Sequence, residues 1–112
     1  MAEEMPFLEG PYEILELADG KQIRLRIREW AYGKMLIKPR YYGAPAQKEI
    51  AALRLFVDPA DKLTAPHYWD FTAGTAITDI LPELRAKKHA THILVLTAHG
   101  EAPKKRFTVA WI

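Results

Sequence analysis

Four histidines, His67, His89, His92 and His99, are the side chains best suited to proton or metal chemistry in this chain of 112 residues. The chain has no Cys, no Ser and no Asn. Disulfides, thiolate ligands, Cys or Ser nucleophiles and N-glycosylation are therefore excluded, leaving Thr, Lys, Tyr or a carboxylate as the only nucleophiles. His89-x-x-His92 has a spacing found in metal sites, but it straddles a helix end and a strand start, with no Cys or carboxylate beside it in sequence. His89 reads better as a helix C-terminal residue beside Lys87 and Lys88, where positive charge suits the helix dipole. No metal is expected.

His67-Tyr68-Trp69-Asp70-Phe71 is the most unusual cluster. As an acid/base pair, His67 and Asp70 would line an aromatic pocket. As structure, Trp69 and Phe71 enter the core and Asp70 accepts backbone N–H bonds. The second reading is favoured, because nothing supplies a third catalytic role. Gly74-Thr75 precedes a helix and suits an anion, yet the chain has no Walker loop, no dinucleotide glycine pattern and no His-Glu-x-x-His. Neither a cofactor nor catalysis is expected.

The sharper pattern is basic and aromatic. Arg24, Arg26, Arg28, Lys34, Lys38 and Arg40 fall on one side of an expected hairpin, with Trp30, Tyr32 and Tyr42 near its tip and end. Single-stranded DNA or RNA asks for this combination, cations along the phosphates and rings on which bases stack for about 1–3 kcal/mol each. The expected nucleic-acid-binding residues are thus Arg24, Arg26, Arg28, Trp30, Tyr32, Lys38, Arg40 and Tyr42, with Lys87, Lys88, Lys104, Lys105 and Arg106 able to extend the track. The competing reading is a solvated face paired to the preceding strand, with Glu16 opposite Arg24 or Glu13 opposite Arg26. Either register leaves Arg28, Lys38 and Arg40 without an acidic partner. A different class of function is a structural module forming a homodimer through a sheet edge or docking in a larger complex.

The elements that must position these residues follow from periodicity. Residues 11–18 suit a strand and end at the turn signal Asp19-Gly20. In 22–30, Ile23, Leu25 and Ile27 alternate with Arg24, Arg26, Arg28 and Trp30, predicting one half-buried strand. A turn at 31–33 and a strand over 34–41 would pair Ile27 with Ile37, setting Arg26 opposite Lys38 and Arg24 opposite Arg40. Residues 46–57 suit a helix opened by Pro45 or a strand, and a strand is favoured over 49–57; a loop over 58–66, a short aromatic strand near 67–71 and a helix over about 76–88 are expected. Pro82 suits that helix only if it starts near Thr78 or Asp79, or if it kinks. Strands near 92–98 and 106–111 form a C-terminal hairpin.

This order predicts a single α+β domain over 1–112, with residues 1–10 a loosely ordered tail. One helix cannot cover a flat sheet of five or six strands on both faces, so a strongly bent antiparallel sheet or partly open barrel is expected. The charge is segregated: −6 over 1–20, +6 over 21–40, −3 over 41–83 and +5 over 84–112. With two Gln, eight Pro and no Asn or Cys, the composition points to a thermophile. No membrane span and no signal peptide are legible, so a cytoplasmic location and no membrane partner are expected.

Overall fold

The computed structural model describes residues 6–37, 43, 47–100 and 105–112. Its strands are β1 (Gln22–Leu25), β2 (Ile27–Ile37), β3 (Lys48–Val57), β4 (Tyr68–Phe71), β5 (Leu94–His99) and β6 (Arg106–Trp111). One helix, α1 (Gly74–Arg85), lies between β4 and β5 and is followed by a turn of 3-10 helix, Lys88–Ala90. The strands form two three-stranded antiparallel sheets, ordered β1-β5-β6 and β2-β3-β4. The α+β class and six strands agree with the expectation, but the sheet does not close into a barrel.

The reason lies at Arg26. The alternation over 22–30 predicts one strand, whereas the chain changes sheets at this residue. The Arg26 N–H donates to Asp61 Oδ2 at 2.8 Å and its carbonyl accepts the Asp58 N–H at 3.0 Å, so loop groups replace the strand ladder there. Ile27 pairs with Val57 and Glu29 with Phe56, leaving Arg28 as the extra residue of a bulge. A break and a bulge together turn a corner between two sheets. Leu25 and Ile27 both remain buried across it.

The expected turn at 31–33 is absent: β2 runs straight through Ala31, Tyr32 and Gly33 and pairs with β3 along its length. Ile27 therefore faces Val57, not Ile37, and the basic hairpin does not form. The preceding segment is not a strand either. Residues 11–18 make one isolated parallel bridge, Ile14 to Asp70, so neither expected pairing of Glu13 or Glu16 with the arginines exists; β1 pairs with β5 instead.

The main core lies between the sheets and α1. One face of β2-β3-β4 contributes Trp30, Tyr32, Leu53, Leu55, Trp69 and Phe71; the other sheet contributes Leu25, Leu94, Leu96, Phe107 and Val109. α1 buries Ala76, Ile77, Ile80, Leu81 and Leu84 against them, a stripe at helical spacing. Thus one helix fills the space between two sheets. Pro82 sits inside the helix, well past its first turn. The helix stops before the expected residue 88 because Lys87 adopts a left-handed conformation, φ 62°, its N–H reaching back to the Leu84 carbonyl.

The opposite face of β2-β3-β4 is crossed by residues 6–15. This strap is bonded to the β2 edge at Lys34 and to the β4 edge at Glu13–Leu15. Leu8 packs on Met35 and Ala52 beneath it. Arg54 and Asp70, also on this face, are buried as an ion pair, and Arg54 donates to the Glu9 carbonyl at 2.6 Å. Unpaired, either charge would be costly there; paired and fully hydrogen-bonded, they fix the strap's path. Among the described residues, no helix is long and apolar enough to cross a membrane.

Candidate functional site

The corner at Arg26 builds the candidate site. Leu25 pairs with Leu94, which brings the start of β5, and the 3-10 turn before it, beside the first residues of β2. Two adjoining hollows open there. The first, of about 390 Å³, is lined by Trp30, Leu84, Arg85, Lys87, His89 and Ala90. The second, of about 320 Å³, is lined by Arg26, Ile27, Arg28 and residues His89–Ile93. They share His89 and Ala90, and among the described residues neither lining contains a carboxylate. The groove therefore gathers four cationic side chains, two imidazoles and one indole.

Its electrostatics are set by the loop after β3. Arg28 holds Asp58 at 2.8 Å, and Arg26 holds Asp61 at 3.1 Å with Asp58 at 3.8 Å. Hydrogen bonding to Asp61, then the charges of Asp58 and Asp61, raise the Arg26 guanidinium above its already high ordinary value. The Asp58 carboxyl is lowered from its ordinary range by the Ala60 N–H first, then by Arg28. Both arginines are at least half exposed, so these pairs are individually weak and open to competition by another anion. Arg85 and Lys87 make no ion pair among the described residues, whereas Lys88 is taken by Glu83 at 3.4 Å.

The loop that presents Asp58 and Asp61 is itself pinned by Lys62. Its buried ammonium donates to Glu13 Oε1 at 2.9 Å, to the Thr64 carbonyl at 3.0 Å and to the Pro66 carbonyl at 2.6 Å. It also lies 4.8 Å from the centre of the Trp69 ring. His67 Nδ1 bonds the Lys62 carbonyl at 2.8 Å. Lys62 thus ties the loop to the strap.

No protein family model, no curated protein and no solved structure matches this chain. What the site can do must be read from its own groups.

The residues expected from sequence to form one surface are dispersed. Arg24 is exposed on the outer side of the β1-β5-β6 sheet, opposite Val95. Arg26 and Arg28 line the groove. Arg28, expected to lack an acid, pairs with Asp58. Trp30 and Tyr32 turn to the main core, because the bulge at Arg28 shifts the alternation by one residue. Trp30 still lines the groove. Lys34 donates to Glu49 at 3.4 Å and lies over the Phe7 ring. Lys38, Arg40, Tyr42 and Lys104 lie outside the described residues.

His67 and Asp70 do not form an acid/base pair, since each is spent on other partners. Asp70 receives Arg54 on both oxygens and the Glu13 N–H at 2.9 Å. Of the remaining histidines, His92 Nδ1 bonds Thr91 Oγ1 at 2.8 Å and His99 Nε2 bonds Thr108 Oγ1 at 2.7 Å. His89 Nδ1 is buried without a partner among the described residues. Among the described residues, no group of three His, Asp or Glu side chains is placed to hold a metal ion.

Sequence reasoning missed that Arg85, His89 and His92 join Arg26 and Arg28. The available signal was the basic run Arg85-x-Lys87-Lys88-His89 at the end of the helix. It lacked only the knowledge that the 22–30 strand breaks and bends toward it.

Proposed function

We propose that the protein binds single-stranded nucleic acid, DNA or RNA, in the groove between the start of β2 and the 3-10 turn. The observation that carries this reading is a lining that joins Arg26, Arg28, Arg85 and Lys87 to Trp30 and holds no carboxylate among the described residues, the Asp58 and Asp61 partners of Arg26 and Arg28 lying outside it. Cations engage phosphates without regard to sequence, and an exposed ring edge or face takes a base. The groove replaces the flat basic hairpin as the binding surface, because its two adjoining hollows bring Trp30 and the arginines together. The binding constant of a mixed-sequence oligonucleotide, measured at several salt concentrations, tests it. Each phosphate neutralised contributes a slope of about −0.7 in log K against log salt for single strands. Two to four contacts should therefore give a slope between about −1.4 and −2.8. Binding without salt dependence would overturn the reading.

A homodimer through a sheet edge is the second reading. Its support is β6, which among the described residues is hydrogen-bonded to β5 on one side only. Sedimentation as a monomer at high concentration would overturn it.

A further inference from the structure

The two hollows differ in character, and the difference has the pattern of one nucleotide. Leu84, Ala90 and Trp30 supply the apolar part of the first, with Arg85 and Lys87 also in its lining. The second offers the Arg26 and Arg28 guanidiniums with His92 beside them. They adjoin at His89 and Ala90, which line both. Stacking needs a ring beside an apolar recess, and a phosphate needs forked donors that can bond two of its oxygens.

We infer that the groove is a single-nucleotide subsite, the base entering the Trp30 hollow and its phosphate the Arg28–His92 hollow. This rests on the nucleic-acid reading but goes beyond it, since it fixes which hollow takes which chemical part. The phosphate reaches Arg28 by displacing Asp58, a carboxylate that already occupies the guanidinium at 2.8 Å. Asp58 thus stands where the ligand's anion would be. Among the described residues, the lining of the base hollow includes no such internal anion.

The test is a nuclear magnetic resonance titration of the full chain with three probes: adenosine 5′-monophosphate, adenosine and inorganic phosphate. The monophosphate is expected to shift the Trp30 indole N–H and the amides of Thr91–Ile93 together. Adenosine should move only the Trp30 signal, and phosphate only the second set. Arg28→Ala should weaken the monophosphate and phosphate about tenfold, one charge-assisted hydrogen bond, and leave adenosine unchanged. Trp30→Leu should do the reverse for adenosine, and if that variant fails to fold, the wild-type shifts decide alone. Monophosphate shifts confined to one hollow, or an Arg28→Ala loss shared equally by adenosine, would overturn the assignment. An oligonucleotide run in parallel separates the two claims. If it binds while the monophosphate shifts neither hollow, only the subsite is wrong. If it does not bind but the monophosphate shifts both hollows, the polymer reading fails and the subsite stands; if neither ligand binds, both fail.

Discussion

Arg54 on β3 and Asp70 on β4 stand directly opposite one another and form a two-point ion pair, Nε to Oδ1 at 2.7 Å and Nη2 to Oδ2 at 3.1 Å. The pair is buried under the strap and completed by it, through the Glu9 carbonyl and the Glu13 N–H. Asp70→Ala strands a buried guanidinium and is expected to cost about 3–5 kcal/mol. Urea unfolding measures that loss, and the double variant Arg54→Met/Asp70→Leu should recover much of it. A single variant as stable as the parent would show that the pair does not secure the strap.

Gly33 lies where the strap passes closest to β2. A Cβ there would collide with the Pro6 carbonyl and press on Leu8 at 3.1 and 3.2 Å. Gly33→Ala should destabilise by about 1–3 kcal/mol, as overpacking does. Hydrogen exchange should also quicken at the Leu8 and Lys34 amides, which bond across this contact. Unchanged exchange at both would contradict the close approach.

Pro82 interrupts α1 from within and deprives the Thr78 carbonyl of its usual helical donor. The site is exposed, so burial of the ring compensates little. Pro82→Ala should raise stability by about 1–3 kcal/mol, the intrinsic helix difference reduced by the looser unfolded chain. A thermal melt checks it, and an unchanged or lower midpoint would mean that Pro82 contributes to the native packing of α1.

The corner at Arg26 should resist acid. Asp58 titrates below the ordinary carboxylate value of about 3.9, so its contribution is complete above that value and lost only as pH falls through the lower folded one. Carboxyl resonances followed from pH 6 to pH 2 should show Asp58 protonating below an unpaired exposed Asp. An Asp58 midpoint at or above the ordinary value would mean that Arg28 and the Ala60 N–H do not hold it.

Asp58→Asn should in turn strengthen oligonucleotide binding severalfold, since it frees Arg28 from a competing anion. Weaker binding would assign Asp58 the role of orienting Arg28 rather than occupying it.

The elements that sequence made legible are those whose cues were local. Leu53–Val57 ending at Asp58-Pro59, the Ile77/Ile80/Leu81/Leu84 stripe and the alternating Phe107/Val109/Trp111 all lie in the elements expected of them. Errors arose where a distant group decided the backbone. Nothing in the alternation of 22–30 tells that Asp61 will take the Arg26 N–H and split the strand. Ala31-Tyr32-Gly33 carries turn chemistry, but ten residues of β3 beside β2 override it. The basic residues of the candidate site were visible as two charge blocks. That Arg26 and Arg28 would meet His89 and His92 depended on the corner, which is tertiary.

The most direct measurement is fluorescence anisotropy of a labelled mixed-sequence single strand against the wild type, Arg28→Glu, Lys87→Glu and Lys21→Glu. Lys21 is exposed and precedes β1, at the opposite end of that strand from the groove. Expected is salt-dependent binding that falls at least tenfold in the Arg28 and Lys87 variants, with Lys21→Glu changed little. Equal losses in all three, or no binding at low salt, would contradict the assignment of the groove as a nucleic-acid site.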